Sequence, residues 1–579
     1  MARHRAREAR LLRSVPPYSW LLALLACTDA PDAPDDPGLP DDPGPVVDSP
    51  LDTYAPALTV TVDPVIGIRT LVARAEGAPD DALSWSWTAD GAPTEHVGPT
   101  VPATALWPDQ VWEVTVRADG SDARTASASV TVPRPAGGNI LMVVLDDVGV
   151  DRFNAAAYAP TQARTPTIDA LAASGVYFEN AYATALCSPT RAALLTGRHG
   201  RRTGIGALVG ATAMEELRPE AITIPEMLAA ARAGTYTSFA VGKWHLSSVT
   251  SASGADAARI QGFGSYAGSL SNLTAAGDGY YRWAKTIDGV VVESTTYATT
   301  DTIDDAVTRI GAMPEPWFGY VALNAAHVPL DAPPPELTSV DVPQESPETE
   351  RYLAVLEAAD TELARLLASI PREVLDATTI VIVGDNGTSD AGTVPPFDPE
   401  RGKHSVYEGG VHVPLVIKGP LVVRGGRSDA LVHVVDLFAT LADLAGAPLA
   451  PGDAGLSLAL ADGTDRTLDG VSLLPWLADP TLPSPRDVVY AEVFGPNGAP
   501  PYEEVDARTI RDARWKVIAE TSYVTGVTTT QLFDLEAGVW DEGPDLLARG
   551  PLEAEQQAAY DRLLAALEAQ LAAMPYEGR

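Results

Sequence analysis

The chain has 579 residues, with 40 Lys and Arg against 77 Asp and Glu, a formal net charge of -37. That length predicts roughly two to four structural units, and so acidic a balance excludes nucleic acid as a partner, because phosphate neutralisation needs clustered cations. Its two cysteines, Cys27 and Cys187, fall in separate local signals, so no disulfide is expected.

Residues 1–13 are basic, and residues 20–26 form a short apolar run closing in Leu24-Leu25-Ala26-Cys27. The pattern predicts an export signal over 1–27, too short to span a bilayer, which takes about 20 apolar residues. Leu-Leu-Ala-Cys resembles the lipobox of bacterial lipoproteins. The resemblance implies a lipid anchor on Cys27, membrane attachment in the cell envelope and, with Thr28 in place of Asp, an outer-membrane or cell-surface position. Residues 28–53 are rich in Asp and Pro and lack aromatics, so they cannot bury enough apolar surface to order. They read as a disordered linker, extended at about 3.1 Å per residue.

Between 54 and 135 come short alternating runs at 58–62, 83–87, 111–116 and 126–132, with Asp-Gly turns at Asp90-Gly91 and Asp119-Gly120. Period-two alternation predicts a small all-β sandwich, similar to Ig-like or PKD-like modules. Trp85, Trp87 and Trp112 are expected in its core, a carbohydrate-stacking platform being the alternative.

Residues 140–145 are continuously apolar, as in a parallel strand buried on both faces, and end in Asp146-Asp147. Residues 378–383 form a second such run and, after Gly384, end in Asp385-Asn386. Ligands gather at the carboxyl ends of strands in open α/β sheets, so the two pairs are expected to converge. Four oxygen side chains suit a hard cation such as Ca2+ or Mg2+. Pro189 fits the first turn of a helix that places Cys187 at its N-terminus, where backbone N–H groups favour anions; an inert buried thiol is the alternative. Arg191, Arg198, Arg201 and Arg202 form a basic island expected to gather an anion against the acidic field of the chain. Helices are expected over 302–310, 351–367 and 553–573.

Cys187-Ser188-Pro189-Thr190-Arg191, followed by Ala-Ala-Leu-Leu-Thr196-Gly197-Arg198, resembles the C-x-P-x-R…TGR element of sulfatases. Gly242-Lys243-Trp244-His245, His327-Val328-Pro329 and Gly402-Lys403-His404-Ser405…Glu408-Gly409-Gly410 are similar to further motifs of that family, in the same order. The resemblance covers nearly all of 138–545. It implies an α/β, alkaline-phosphatase-like catalytic domain over 138–480, arylsulfatase B-like in its middle region, and a smaller α+β subdomain over 481–579.

The resemblance also implies that a maturase converts Cys187 to formylglycine. Asp146, Asp147, Asp385, Asn386 and the modified residue 187 would hold a divalent metal, Ca2+ ahead of Mg2+ or Mn2+. Arg191 would stabilise the hydrated aldehyde, and Lys243 and Lys403 would neutralise sulfate oxygens. The alcohol would leave with a proton from the side of His327 and Lys403, and His245 would take a proton as sulfate departs. The implied activity is that of a sulfuric ester hydrolase acting on a sulfated small molecule or glycan. Two alternatives stay open: a phosphonate or phosphodiester hydrolase of the same superfamily, and an inactive glycan-binding surface protein. Residues 246–300 are expected to carry the loops that select the substrate.

Overall fold

A computed structural model describes residues 58–62, 71–75, 83–101, 111–118, 124–131 and 138–577, apart from 159–160, 211–214, 232–234, 275–278, 396, 448, 453–454, 460–464 and 537–541. The expected export signal with Cys27 and the linker over 28–53 lie outside the described residues.

Before residue 138 the described strands are antiparallel. Leu58–Val62, Leu71–Ala75 and Thr100–Val101 make one sheet, and Ala92–Pro93, Leu83–Ala89, Val111–Ala118 and Arg124–Thr131 another. Trp87 and Trp112 are 1% and 2% exposed and meet edge to face, ring centroids 6.2 Å apart. Trp87 Nε1 donates to the Gly98 carbonyl at 2.8 Å. These two rings are core and offer no stacking face to a ligand.

The central sheet has ten strands: β1 (Asn139–Leu145), β2 (Val176–Tyr182), β3 (Thr237–Gly242), β4 (Ser265–Gly268), β5 (Trp283–Ile287), β6 (Val290–Ser294), β7 (Trp317–Ala322), β8 (Thr378–Gly384), β9 (Leu415–Lys418) and β10 (Gly426–His433). Their order is β6-β5-β4-β3-β7-β1-β8-β9-β2-β10. The two apolar runs are β1 and β8, parallel neighbours at the centre. Along β1, Ile140, Met142 and Val144 enter one apolar layer, and Leu141, Val143 and Leu145 enter the other. Burial on both faces removes the need for alternation, so the sequence reads as an unbroken apolar run.

The sheet is mixed where those runs suggested parallel strands. β9 is antiparallel to β8, and β5 to β4. After β8 the chain remains at the carboxyl end of the sheet over 385–414, so β9 re-enters from that end. β5 likewise runs back from the carboxyl end of β4, with Thr286 paired to Gly268. The expected helices fall within Ala298–Ala312, Glu348–Ser369 and Ala554–Ala573. The last is capped by Glu553, whose side chain and that of Gln556 satisfy each other's backbone N–H groups.

A second, four-stranded antiparallel sheet follows: β11 (Val489–Gly495), β12 (Val505–Arg511), β13 (Trp515–Thr521) and β14 (Thr528–Asp534). Leu563 and Leu567 of the helix Ala554–Ala573 pack in its apolar cluster. This sheet is joined to the central domain by buried charge. Lys516 Nζ on β13 lies 2.9 Å from Glu408 Oε1 and 2.9 Å from Glu542 Oε1. Tyr182 on β2 donates its hydroxyl to Glu408 Oε2 at 2.8 Å, and Arg511 on β12 approaches that oxygen at 3.4 Å. Burial alone would raise the Glu408 carboxyl, but Lys516 and Arg511 overcome it and hold its pKa well below the usual range.

Removing one member of such a cluster leaves a partner charge buried, so Glu408→Gln should cost about 3–5 kcal/mol at neutral pH. A glutamate in the unfolded chain titrates near ~4.3, above the depressed native value. The contribution is therefore complete above that pH and is lost as pH falls through the native value. Calorimetric Tm values should show a gap between wild type and Glu408→Gln that narrows on acidification; a gap constant from pH 7 to pH 3 would exclude an ionic origin.

Candidate active site

The site is set by the ends of two adjacent strands. β1 and β8 are in parallel register with Gly384 beside Leu145, so Asp146-Asp147 and Asp385-Asn386 emerge side by side. Asp147 takes a left-handed turn, φ 59°, a conformation aspartate tolerates better than most residues. Its N–H donates to Asp385 Oδ1 at 3.1 Å, and its carbonyl accepts from the Tyr352 hydroxyl at 2.7 Å.

Cys187 begins the helix Cys187–Thr196, every residue of which is buried. Its Sγ lies 3.5 Å from Asp146 Oδ1 and 4.0 Å from Asp147 Oδ1. One helical turn on, Arg191 donates from Nε and Nη2 to Asp385 Oδ2 at 3.1 and 2.8 Å, and from Nη1 to the Lys243 carbonyl at 2.7 Å. Lys243, just past the end of β3, places Nζ 2.5 Å from Asp146 Oδ2. Lys403 places Nζ 2.6 Å from Asp147 Oδ1. His327 Nε2 lies 3.8 Å from Asp147 Oδ2, while Nδ1, facing the Val328 carbonyl at 2.5 Å, must carry the proton of the neutral ring. His327 and Lys403, 7% and 9% exposed, are the most accessible members, so the site opens on their side.

His245 also sits in the left-handed region, φ 60°, a conformation that persists only where surrounding contacts over-determine it. Two contacts do so: its N–H donates to the Leu270 carbonyl at 3.0 Å, and its carbonyl accepts from Ser188 Oγ at 2.7 Å. Ser188 Oγ in turn accepts from the Val209 N–H at 3.0 Å. Ser188 is thus a positioning residue that the sequence did not single out, although it lies inside the quoted motif beside Cys187. The His245 ring is buried with Nδ1 unpartnered. Burial, reinforced by Lys243 and Arg191, keeps it neutral, its pKa well below the usual value.

Burial would raise Asp146, but Lys243, His327 and Arg191 bring it below the usual carboxylate range. Burial and the neighbouring Asp146 push Asp385 up to about 6 despite Arg191. Burial and Asp385 raise the Cys187 thiol far above its ordinary value.

The basic island is not at the site, apart from Arg191. Arg198 pairs with Glu577; Arg202 pairs with Asp469 at 2.8 Å; Arg201 pairs with Glu492 at 3.4 Å and Asp506 at 3.6 Å. The reason is the helix: at 1.5 Å per residue it carries the chain roughly 14 Å from Cys187 by its end at Thr196, and Arg198, Arg201 and Arg202 follow beyond it.

The donors fit a divalent cation. Among the described residues, ligand atoms of Asp146, Asp147, Cys187 and His327 lie within 4.8 Å of one another. Asn386 Oδ1 is buried without a hydrogen-bond partner, while its Nδ2 donates to Asp147 Oδ1 at 2.8 Å and to the Gly387 carbonyl at 2.9 Å. The amide therefore presents a bare carbonyl oxygen beside two carboxylates, a donor suited to a hard cation. Asp385, expected as a ligand, has both oxygens engaged here, by the Asp147 N–H and by Arg191.

This is an α/β protein whose site gathers carboxylates, cations and a helix N-terminus at the carboxyl edge of the sheet. Residues 138–447, more than half of the chain, match the family described as Sulfatase, and the chain belongs to that family. It is 30% identical over 369 residues to human N-acetylgalactosamine-6-sulfatase, covering 58% of this chain and 65% of that protein. It is 28% identical over 354 residues to the uncharacterized sulfatase YdeN of Escherichia coli (strain K12), covering 57% of this chain and 59% of that protein. The chain thus spans less than two thirds of the length of these relatives. The crystal structure of Ps i-CgsB in complex with k-i-k-neocarrahexaose shares the fold, with TM-score 0.59 and 24% identity over 75% of this chain and 92% of that one.

A ligand of the native state stabilises it by about 2.7 kcal/mol at a hundredfold excess over Kd. Restoring Ca2+ to chelator-treated protein should therefore raise Tm, and Asn386→Ala should blunt the rise; differential scanning fluorimetry reads both. An identical rise in wild type and Asn386→Ala would remove Asn386 from the cation site.

Proposed function

We propose that the protein hydrolyses sulfate esters of carbohydrates or aryl compounds, with Cys187 converted to formylglycine by a maturase and a divalent cation, Ca2+ first, held by Asp146, Asp147, Asp385 and Asn386. The observation that carries this reading is the position of Cys187: at a buried helix N-terminus, against two carboxylates, ringed by Arg191, Lys243 and Lys403. The carbohydrate substrate class is supported by relatives named N-acetylgalactosamine-6-sulfatase. Export and a lipid anchor on Cys27 belong to the same proposal and are supported by the pattern of residues 1–27.

The cation would supply charge stabilisation as negative charge develops on the sulfate oxygens. The hydrated aldehyde at 187 would supply a hydroxyl nucleophile for sulfur and a route to expel sulfate without attack by water. The chain's own residues do the rest. Lys243 and Lys403 are ammonium groups held at Asp146 and Asp147, where they can turn to the anion without crossing solvent. Arg191 holds Asp385 and the Lys243 carbonyl together, one helical turn from residue 187, where it would also stabilise the hydrated aldehyde. His327 Nε2 faces the site from its open side; because Nδ1 is held by the Val328 carbonyl, the ring would give the leaving oxygen a proton from Nε2 as the imidazolium, beside Asp147. His245, neutral and with a free ring nitrogen, suits proton acceptance as sulfate departs.

The mass of the tryptic peptide ending at Arg191, from protein made in its native host or with a maturase, tests the nucleophile. Replacement of CH2SH by CHO is the expected result; an intact cysteine under those conditions sinks the mechanism and favours a glycan-binding protein without turnover. Rates on an aryl sulfate and an aryl phosphodiester then separate sulfatase from phosphodiesterase. His327→Ala should lower turnover of an alkyl sulfate by about a hundredfold or more and that of 4-nitrophenyl sulfate far less, since nitrophenolate leaves without a proton. Equal losses would take the acid role from His327.

A further inference from the structure

At the edge of the central sheet, beside the site, the segment 269–274 and the β5–β6 hairpin enclose an open cleft of about 870 Å³. We propose that this cleft receives the leaving-group side of the substrate and that its occupant is an uncharged sugar or short oligosaccharide, so that the substrate is a sparsely sulfated glycan. The inference rests on the sulfatase reading and adds the chemistry of the part of the substrate that is not sulfate.

The cleft shares its floor with both histidine loops. The Ser269 carbonyl accepts from the Trp244 N–H at 2.9 Å, and the Leu270 carbonyl from the His245 N–H at 3.0 Å. Ser269 Oγ accepts from Asn324 Nδ2 at 3.1 Å, and the Asn324 carbonyl accepts from the His327 N–H at 2.8 Å. The cleft is therefore continuous in hydrogen bonding with the side of the site where His327 meets the leaving group. β5 is antiparallel to β4 and overshoots it: Thr286 pairs with Gly268, so Trp283 and Ala284 stand beyond the end of β4, at the carboxyl edge that carries the site.

The lining is amphipathic and electrically balanced. Val291, 47% exposed on the sheet's edge strand, pairs with Thr286 and shares with it and Ala284 one face of the hairpin, where it presents an apolar side chain; an open edge of this kind is a liability that proteins normally cover. Ser271, Asn272 and Thr274 line the same cleft, and Asn272 Oδ1 is buried without a hydrogen-bond partner. An apolar side chain in one cleft with hydroxyl and amide groups matches a sugar ring, which offers C–H faces and O–H donors at once. The charged groups lining the cleft among the described residues are Arg282 and Glu293, paired at 2.9 Å. A second sulfate would thus meet no uncompensated positive charge here, and the chain's net charge of -37 opposes a polyanion further.

The test uses the matured enzyme and three probes: 4-nitrophenyl sulfate, a neutral oligosaccharide bearing a single sulfate ester, and the same oligosaccharide sulfated on every residue. The singly sulfated chain should be the better glycan substrate, and Val291→Trp, which fills the cleft, should lower its kcat/KM about tenfold more than that of 4-nitrophenyl sulfate, mainly through KM. Asn272→Ala should move the same ratio in the same direction. A preference for the fully sulfated chain, or equal losses on the glycan and aryl probes, overturns the proposal. Should wild type hydrolyse no sulfate ester, the sulfatase reading has failed on its own account. Titration of the unsulfated oligosaccharide, followed by tryptophan fluorescence, then decides for the cleft, since binding weakened by Val291→Trp supports it and absence of binding in wild type overturns it.

Discussion

Everything at the site depends on the neutralisation of buried carboxylates at the ends of two adjacent parallel strands. Asp146, Asp147 and Asp385 are fully buried, and no charge is stable there without a partner. The partners come from three separate stretches: Lys243 after β3, Lys403 from the segment after β8, and Arg191 from the helix that begins at Cys187. Each ion pair therefore does two jobs. It makes the carboxylates tolerable, and it draws a different piece of chain to within reach of Cys187. Because Arg191 also holds the Lys243 carbonyl, the helix, the end of β3 and the Asp385 turn are one unit.

The same logic extends to the second sheet. Residues 385–414 must stay at the carboxyl end of the central sheet to present Asp385, Asn386 and Lys403, which forces β9 to enter antiparallel. The far part of that segment is then fixed by Glu408, whose partners Lys516 and Arg511 sit on β13 and β12. Lys403 is five residues from Glu408, so the C-terminal sheet helps to fix the loop on which a site lysine is carried, although none of the site groups named here belongs to that sheet.

Much of this is legible in the sequence, and the boundary of legibility is physical. The runs at 140–145 and 378–383 announce themselves because strands buried on both faces carry no polar residue, and the acidic pairs follow them directly. Cys187, Arg191, Lys243, His245, His327 and Lys403 are named by motif, and the structure brings all of them to one place. What the sequence does not show is direction. The arginines at 198, 201 and 202 look like one basic patch along the chain, but a helix carries them away from Cys187 to Glu577, Asp469 and Glu492. Nor does it show which hydroxyl is structural: nothing in its local pattern distinguishes Ser188 as the group that pins the strained His245. The antiparallel entries of β5 and β9 follow from where connecting segments lie, which periodicity cannot encode.

On the proposed reading, sulfate and leaving group would be met by parts of the fold under unlike constraints. The groups around Cys187 stand on the central strands and a wholly buried helix, where a change of charge leaves a partner unpaired and a change of volume disturbs two apolar layers. The cleft wall stands on an edge hairpin whose Val291 faces solvent and supports no core. A substitution there alters what the cleft accepts at little cost to folding. On the proposed reading the cationic site would take one small anion in one orientation, while the neutral cleft would be free to be shaped to a particular sugar. An acidic protein can handle an anionic ester on this arrangement because its positive charge is buried and local, and the remainder of the ligand is recognised without charge.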